Sequence, residues 1–192
     1  MARRVVVLSA NPKQGSFTAQ LAAVYAQMAS RGHEVRQFDL STMVFDSNLS
    51  GGYEVDKALE APLVDFQQAL QWCDHLVIFT PIWWGALPAK LKGLIDRVLL
   101  PGFAFQYEAG KSFPRPLLRG RTARLVMTMD TPPWYYYLVQ GAPAIYQLKV
   151  TTLKFVGFAS VRSKLVGPVI HSSAEKRERW LKAVAKLGLA AS

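Results

Sequence analysis

Two kinds of apolar pattern alternate along the chain, and each marks one kind of element. Short, unbroken apolar runs are typical of strands buried on both faces of a parallel sheet. Apolar residues three and four positions apart are typical of helices that pack on such a sheet. By these patterns the sequence predicts strands at 3–10, 75–80, 121–130 and 159–166, and helices at 17–30, 54–72, 89–100, 142–155 and 173–187. Apolar and polar residues alternate at 33–40, which predicts an edge strand with one wetter face.

The alternation of strand and helix predicts one α/β domain over residues 1–192. Right-handed crossovers through the helices give a doubly wound parallel sheet with helices on both faces, and with five strands the flavodoxin-like order 2-1-3-4-5 is the common solution. Residues 101–119 fall outside the alternation and are expected to form an excursion with a hairpin tip at Gly110-Lys111. The long irregular stretch 41–53 is expected to cover a ligand or a dimer contact.

Three turns at the carboxyl ends of predicted strands are the candidate binding elements. They follow the first, third and fourth strands, at 11–16, 81–88 and 130–137. In the order 2-1-3-4-5 the first and third strands are neighbours at the point where the strand order reverses, which is where open α/β sheets bind ligands. The three turns are therefore expected to meet at one crevice.

Each of the first two turns has a functional and a structural interpretation. The turn at 11–16 opens a helix, so its amides and the helix dipole suit a phosphate, with Lys13, Ser16 and Thr18 adding charge and hydrogen bonds; an ordinary connection capped by Ser16 is the alternative. The second turn holds adjacent tryptophans, Trp83 and Trp84. A buried tryptophan pair followed by glycine suits a planar heteroaromatic ring, whereas rings that only cap the core are the alternative.

Composition narrows the class of protein. The single cysteine, Cys73, forms no internal disulfide, and no cluster has metal-ligand spacing, so we expect an intracellular, metal-free protein. No signal peptide or membrane-spanning run is evident, which predicts a cytoplasmic location without stable membrane insertion. The formal charge of +10 is dispersed and accompanies no nucleic-acid motif, so a solvated helix face and a phosphate-bearing cofactor explain it better than nucleic acid.

The longest recognisable motif is residues 69–99, with TPIWWGALPAKLKGLIDRV at its centre, followed by Gly-Phe-Ala-Phe at 102–105. It closely resembles the NAD(P)H:quinone oxidoreductase family, and Ser16-Phe17 falls where that family has its flavin-phosphate loop. The resemblance implies a flavodoxin-like homodimer that binds FAD or FMN and passes hydride from NAD(P)H to a quinone or similar small aromatic acceptor. The enzyme class that the resemblance implies is NAD(P)H dehydrogenase (quinone).

The resemblance also implies roles for particular positions. The residues expected along the flavin phosphate and ribityl chain are Asn11, Ser16, Phe17 and Thr18. Those expected around the isoalloxazine ring, where backbone amides donate to N5 and O4, are Pro81, Ile82, Trp83, Trp84, Gly85, Asp130, Thr131, Pro132 and Trp134. The aromatic side chains expected to stack on both substrates are Trp83, Trp84, Trp134 and Phe105.

Two departures from the family pattern affect the catalytic residues. The family's Gly-Gly turn after strand four is replaced by the aromatic turn at 130–135, and the position of its histidine falls near Pro143. None of the three histidines is a good substitute for the family's histidine, because His33 and His75 precede strands and only His171 follows one. Tyr135 and Tyr137 are therefore the candidate catalytic residues. FAD against FMN, NADH against NADPH and the acceptor remain open.

Three alternatives to a reductase remain. One is a flavin-binding ancillary subunit of a membrane transporter, which a basic surface would suit. Another is an electron-carrier flavodoxin, although carriers of that kind usually have acidic surfaces. The third is a flavodoxin-fold binding protein without a cofactor.

Overall fold

The computed structural model describes residues 2–54 and 57–191. Its central sheet has five parallel strands in the order β2-β1-β3-β6-β7, which confirms the predicted order 2-1-3-4-5. The strands are β1 (Arg4–Ser9), β2 (Glu34–Asp39), β3 (His75–Pro81), β4 (Phe105–Gln106), β5 (Arg115–Pro116), β6 (Thr122–Thr128) and β7 (Ser160–Val166). Strands β4 and β5 pair antiparallel outside the main sheet, and Gly110 lies in the connection between them with φ of 77°, as the predicted excursion requires.

Helices cover both faces of the sheet. They are α1 (Phe17–Ala29), α2 (Ala61–Trp72), α3 (Ala89–Val98), α4 (Pro133–Leu138), α5 (Pro143–Tyr146), a π-helix (Gln147–Lys154) and α6 (Ala174–Ala190). Helices α1 and α6 pack over one face, where Val5, Val77 and Val126 face Tyr25 and Val184. Helices α2 and α3 and the π-helix cover the other face with a larger apolar core. No helix within the described ranges combines the length and apolarity needed to cross a membrane.

One predicted helix was wrong in its starting residue, and a second has the predicted bounds but a different helix type. The helix predicted from residue 54 begins at Ala61, so Leu59 lies outside it, and Val55 lies outside the described residues. The helix predicted over 142–155 consists of α5 and the π-helix. The wider turns of a π-helix are rare in proteins, and where they occur they are often at functional sites. The segment 133–138, predicted as a turn, is helical.

A buried arginine explains why the segment before α2 is irregular. Arg97 on α3 is fully buried and donates to the backbone carbonyls of Asp46 and Ala58 and to the carboxylate of Glu60, the last at 2.9 Å. The backbone carbonyls of Asp46 and Ala58 accept from Arg97 and are therefore not free to accept from amides of a helix. The long stretch that follows β2 is thereby attached along α3.

Candidate functional site

The carboxyl ends of β1, β3 and β6 lie side by side, as the strand order predicts. The amide of Ala10, after β1, donates to the carbonyl of Phe79 at 2.7 Å, and the amide of Ile82, after β3, donates to the carbonyl of Thr128 at 2.8 Å. The turns that follow these three strands therefore start from adjacent positions at one edge. This is the edge at which the sequence predicts the crevice.

The turn after β1 presents a group of unpaired amides at the start of α1. Ser16 caps the helix, its hydroxyl accepting from the amide of Ala19 at 3.2 Å, and the side-chain oxygen of Asn11 accepts from the amide of Lys13 at 3.0 Å. Among the described residues, no acceptor receives the amides of residues 14–18. Free amides at a helix N-terminus are suited to an anion such as a phosphate. The structure thus contains the Ser16 cap of the structural interpretation, and the unpaired amides beside it are compatible with the functional one.

Asn11 and Thr18 make hydrogen bonds inside the protein. The Thr18 hydroxyl lies 2.7 Å from that of Thr128 at the end of β6, and the Asn11 amide nitrogen donates to Thr18 at 3.4 Å. All three side chains are buried. They fix the turn after β1 against the end of β6, two strands away in the sheet, which is a role that the sequence did not reveal for Thr128.

The turn after β3 is a tight two-residue reversal. The amide of Trp83 donates to the carbonyl of Ala86 at 3.0 Å and the amide of Ala86 returns to Trp83 at 2.9 Å. Trp84 and Gly85 between them have φ of 52° and 74°, the left-handed pair that a type I′ turn needs. A left-handed tryptophan is strained, by about 1 kcal/mol, and such strain is concentrated at functional sites.

The tryptophan pair is not buried, so that part of the prediction was wrong. Trp84 is fully exposed, at 104%, and Trp83 is 45% exposed. The physical reason is the left-handed turn, which directs the Trp84 side chain away from the sheet instead of into the core. The rings therefore do not cap the core, and both offer flat apolar surface at the rim of the crevice.

Two amides of this turn remain available. The amides of Ile82, Trp83 and Ala86 are used in backbone bonds, whereas those of Trp84 and Gly85 reach no protein acceptor in the part of the chain that the structure describes. Two adjacent unpaired donors beside exposed aromatic rings fit the expectation that amides here donate to a flavin ring. Pro81, which ends β3, is buried below them, and Ile82 is half-buried.

Helix α4 carries the aromatic turn after β6. Trp134, Tyr135 and Tyr137 are exposed, at 63%, 39% and 46%, whereas Tyr136 is 1% exposed. The Tyr136 hydroxyl donates to the carbonyl of Gly85 at 3.1 Å and accepts from the amide of Ala144 at 2.9 Å. Burial raises the pKa of Tyr136. This residue, which the sequence did not single out, connects α4 to the tryptophan turn.

Asp130 and Phe105 occupy places that the sequence did not indicate. The Asp130 carboxylate accepts from the amide of Ile170 at 2.8 Å and so ties the end of β6 to the segment after β7; Thr131 and Pro132 follow it into α4. Phe105 is buried beyond the far end of α3, with its ring 5.4 Å from that of Phe155. Within one chain, α3 separates Phe105 from the tryptophan turn, by about 15 Å of helix.

His33 and His75 lie away from this crevice. His75 begins β3 at the opposite edge of the sheet, is buried, and shares a 2.7 Å hydrogen bond between its Nδ1 and the hydroxyl of Thr122. His33 contacts the carbonyl of Leu189 at 3.3 Å. Across the described ranges, no group of three or more His, Cys, Asp or Glu side chains is arranged to hold a metal ion.

Comparison with known proteins agrees with this geometry. Residues 3–187 match the family described as having a flavodoxin-like fold. Ribosyldihydronicotinamide dehydrogenase (quinone) of Pongo abelii is 30% identical, covering 91% of this chain and 86% of its own length. NAD(P)H dehydrogenase (quinone) 1 of Rattus norvegicus is 26% identical, covering 94% and 76%. Smu.1420 from Streptococcus mutans UA159 superposes with a TM-score of 0.82 at 27% identity, over 97% and 98% of the two chains.

The fold and the crevice define a flavodoxin-like oxidoreductase. The chain belongs to the flavodoxin-like family, in the group of quinone-reducing NAD(P)H and ribosyldihydronicotinamide dehydrogenases that these relatives represent. The resemblance inferred from residues 69–105 is therefore confirmed.

Proposed function

We propose that this protein is a flavin-dependent NAD(P)H oxidoreductase that reduces quinones or similar small aromatic acceptors by two-electron transfer. The observation that carries the proposal is the pair of unpaired amides at Trp84 and Gly85, set between exposed aromatic rings at the same edge as the free amides that open α1. A flavin has an anionic phosphate and a planar ring with hydrogen-bond acceptors, so it needs these two features together.

The residues of this chain bind and orient, and a bound flavin supplies the hydride chemistry. The amides of residues 14–18 would hold the flavin phosphate, and the basic surface of a +10 chain favours both this phosphate and a nicotinamide dinucleotide. The amides of Trp84 and Gly85 would donate to the ring edge. Donors already fixed by a tight turn need no reorganisation when charge develops there.

The exposed rings would receive the two substrates in turn. Trp83, Trp84 and Trp134 offer flat surface at the rim, where NAD(P)H and then the acceptor can stack on the same place. Tyr135 and Tyr137 are both exposed on α4, and one of them would donate a hydrogen bond to charge on the ring. Pro143 stands where the family's histidine would be, so a tyrosine would act without a histidine partner.

We also propose a homodimer. Apolar side chains on, or directly after, α4, α5 and the π-helix are exposed in the single chain, and they are Leu138, Val139, Tyr146, Val150 and Phe155. Exposed apolar surface that forms one patch marks an interaction site, and we propose that these side chains form such a patch. Light scattering is expected to give twice the chain mass of 21.4 kDa, and Tyr146→Glu is expected to shift the protein toward the monomer. A wild-type monomer at micromolar concentration would contradict the dimer.

A visible spectrum tests the function directly. The purified protein, reconstituted if necessary with FAD or FMN, is expected to show flavin absorbance that NADPH bleaches without oxygen and that a benzoquinone then restores. Chromatography of the released flavin decides between FAD and FMN, and titration with NADH against NADPH decides the donor. A protein that takes up neither flavin excludes the proposal. Cell fractionation tests the cytoplasmic location that we infer with it.

A further inference from the structure

Tyr136 lies between the two tyrosines proposed to act in catalysis, yet its contacts are of another kind. It is buried, whereas Tyr135 and Tyr137 face solvent, and both hydrogen bonds of its hydroxyl are to backbone groups of other segments. We propose that Tyr136 is a positioning residue that aims the free amides of the tryptophan turn and thereby tunes the reduction potential of the flavin. The inference rests on the proposed function.

The Tyr136 hydroxyl completes the fixation of one peptide group. The peptide between Gly85 and Ala86 is held at its amide, which donates to the carbonyl of Trp83 at 2.9 Å, and at its carbonyl, which accepts from Tyr136 at 3.1 Å. A planar peptide that is held at both ends cannot rotate. This fixes the conformation of the turn that carries the unpaired amides of Trp84 and Gly85.

The other bond of the hydroxyl anchors Tyr136 from behind. The amide of Ala144 donates to it at 2.9 Å, and Ala144 lies fully buried in the first turn of α5. Pro143 packs against the turn as well, since a Cβ built on Gly85 would lie 3.9 Å from the Pro143 ring. The tryptophan turn is thus attached to the rigid start of α5 through one oxygen atom.

Phenylalanine fills nearly the same space but removes this connection. In Tyr136→Phe the carbonyl of Gly85 and the amide of Ala144 both lose their partner, so the peptide between Gly85 and Ala86 is held at one end only. Amide donors aimed at the ring edge favour the electron-rich reduced form of a flavin over the oxidised form. Loosening the turn therefore weakens the binding of reduced flavin more than that of oxidised flavin.

The test compares two buried Tyr→Phe variants as flavin-loaded proteins. In Tyr136→Phe, reduced flavin is expected to lose about tenfold more affinity than oxidised flavin, which makes the midpoint potential about 30 mV more negative. Tyr25→Phe is the matched control, because Tyr25 is equally buried on α1 and its hydroxyl has no partner among the described residues. Its potential is expected to equal that of the wild type.

The outcomes separate this inference from the function on which it rests. A wild-type protein that binds no flavin overturns both. A wild-type flavoprotein whose potential is unchanged in Tyr136→Phe, or shifted equally in Tyr25→Phe, overturns the role of Tyr136 alone.

Amide hydrogen exchange on the wild type decides the matter if Tyr136→Phe does not fold. The amide of Ala144 is expected to be protected without flavin, whereas those of Trp84 and Gly85 are expected to exchange rapidly and to become protected when flavin binds. Rapid exchange at Ala144, or no effect of flavin at Trp84 and Gly85, overturns the inference.

Discussion

The side-chain oxygens of Thr18 and Thr128 meet 2.7 Å apart, and both side chains are buried. One residue stands in the first turn of α1 and the other ends β6, the second strand along from β1 in the sheet. Their hydrogen bond therefore joins the turn that presents free amides to the strand that leads into the aromatic helix α4. This contact directly links two parts of the crevice that are 110 positions apart in sequence, in addition to the pairing of the strands.

Replacing either hydroxyl by a methyl group tests this contact. Thr18→Val and Thr128→Val are each expected to lower the free energy of unfolding by about 1.5 kcal/mol, since each leaves the other hydroxyl buried without its partner. The double variant is expected to lose less than the sum, because the second change removes the unpaired group. Urea unfolding measures all four proteins. Strict additivity would contradict the bond, whereas Thr18→Val combined with Thr151→Val, on the other face of the sheet, should be additive.

Trp84→Gly is expected to separate stability from activity. Glycine adopts the left-handed φ of 52° without strain, and this gain of about 1 kcal/mol offsets the entropy that glycine loses on folding. The melting temperature should change little, while kcat/KM for a quinone should fall about tenfold with the loss of a stacking surface. Phe113→Ala, which removes another exposed ring, is the control. Unchanged turnover in Trp84→Gly would remove Trp84 from the substrate site.

Gly93→Ala is expected to detach the stretch after β2 from α3. A Cβ at Gly93 would lie 2.3 Å from the Cβ of Ser47 and 2.7 Å from its carbonyl oxygen, so the backbone of Ser47 must move. The expected loss is about 2 kcal/mol of unfolding free energy, typical of overpacking. Gly32→Ala has open space around its Cβ and no left-handed φ, so it should be neutral or slightly stabilising. Equal effects of the two changes in a thermal melt would disprove the close approach.

His75 is expected to make stability depend on pH. Burial, with Arg3 and Arg124 nearby, lowers the pKa of His75 from 6.5 to about 4. The unfolded chain therefore binds the proton first, so the stabilisation is complete above pH 6.5 and is lost as the pH falls toward 4, by about 3 kcal/mol in all. His75→Asn should flatten this slope in urea titrations between pH 4.5 and 7. An equally steep slope in the variant would assign it to other groups.

The sheet was predictable because its strands are buried on both faces. Such strands read as unbroken apolar runs, and β3 from His75 to Pro81 is buried throughout. The start of helix α2 was harder to predict, because it depends on the hydrogen bond from Arg97 to the carbonyl of Ala58. The local pattern of apolar residues carries no information about such a long-range contact. The start signal was present in Pro62, next to the first residue of the observed helix. Pro133 likewise opens α4, where repeated aromatic residues hid any helical period.

The crevice was predictable in position but not in its internal contacts. Strand order alone brings the three turns together, so their residues could be named. Which of three consecutive tyrosines turns inward depends on the exact phase of α4, and the sequence did not distinguish Tyr136 from its neighbours. The exposure of Trp84 depends on a left-handed φ, which is rare for tryptophan and is not encoded by composition.

The uncovered rings of the tryptophan turn change where the hydrophobic effect acts in this protein. Folding leaves Trp84 wholly in water, so burial of its ring contributes nothing to the native state and would contribute to the binding of the substrates that we propose stack on it. Each substrate that stacks there should therefore bind with a negative change in heat capacity, and its affinity should respond to temperature as core stability does elsewhere. On this proposal, part of the protein's hydrophobic burial would be completed only when a substrate is bound.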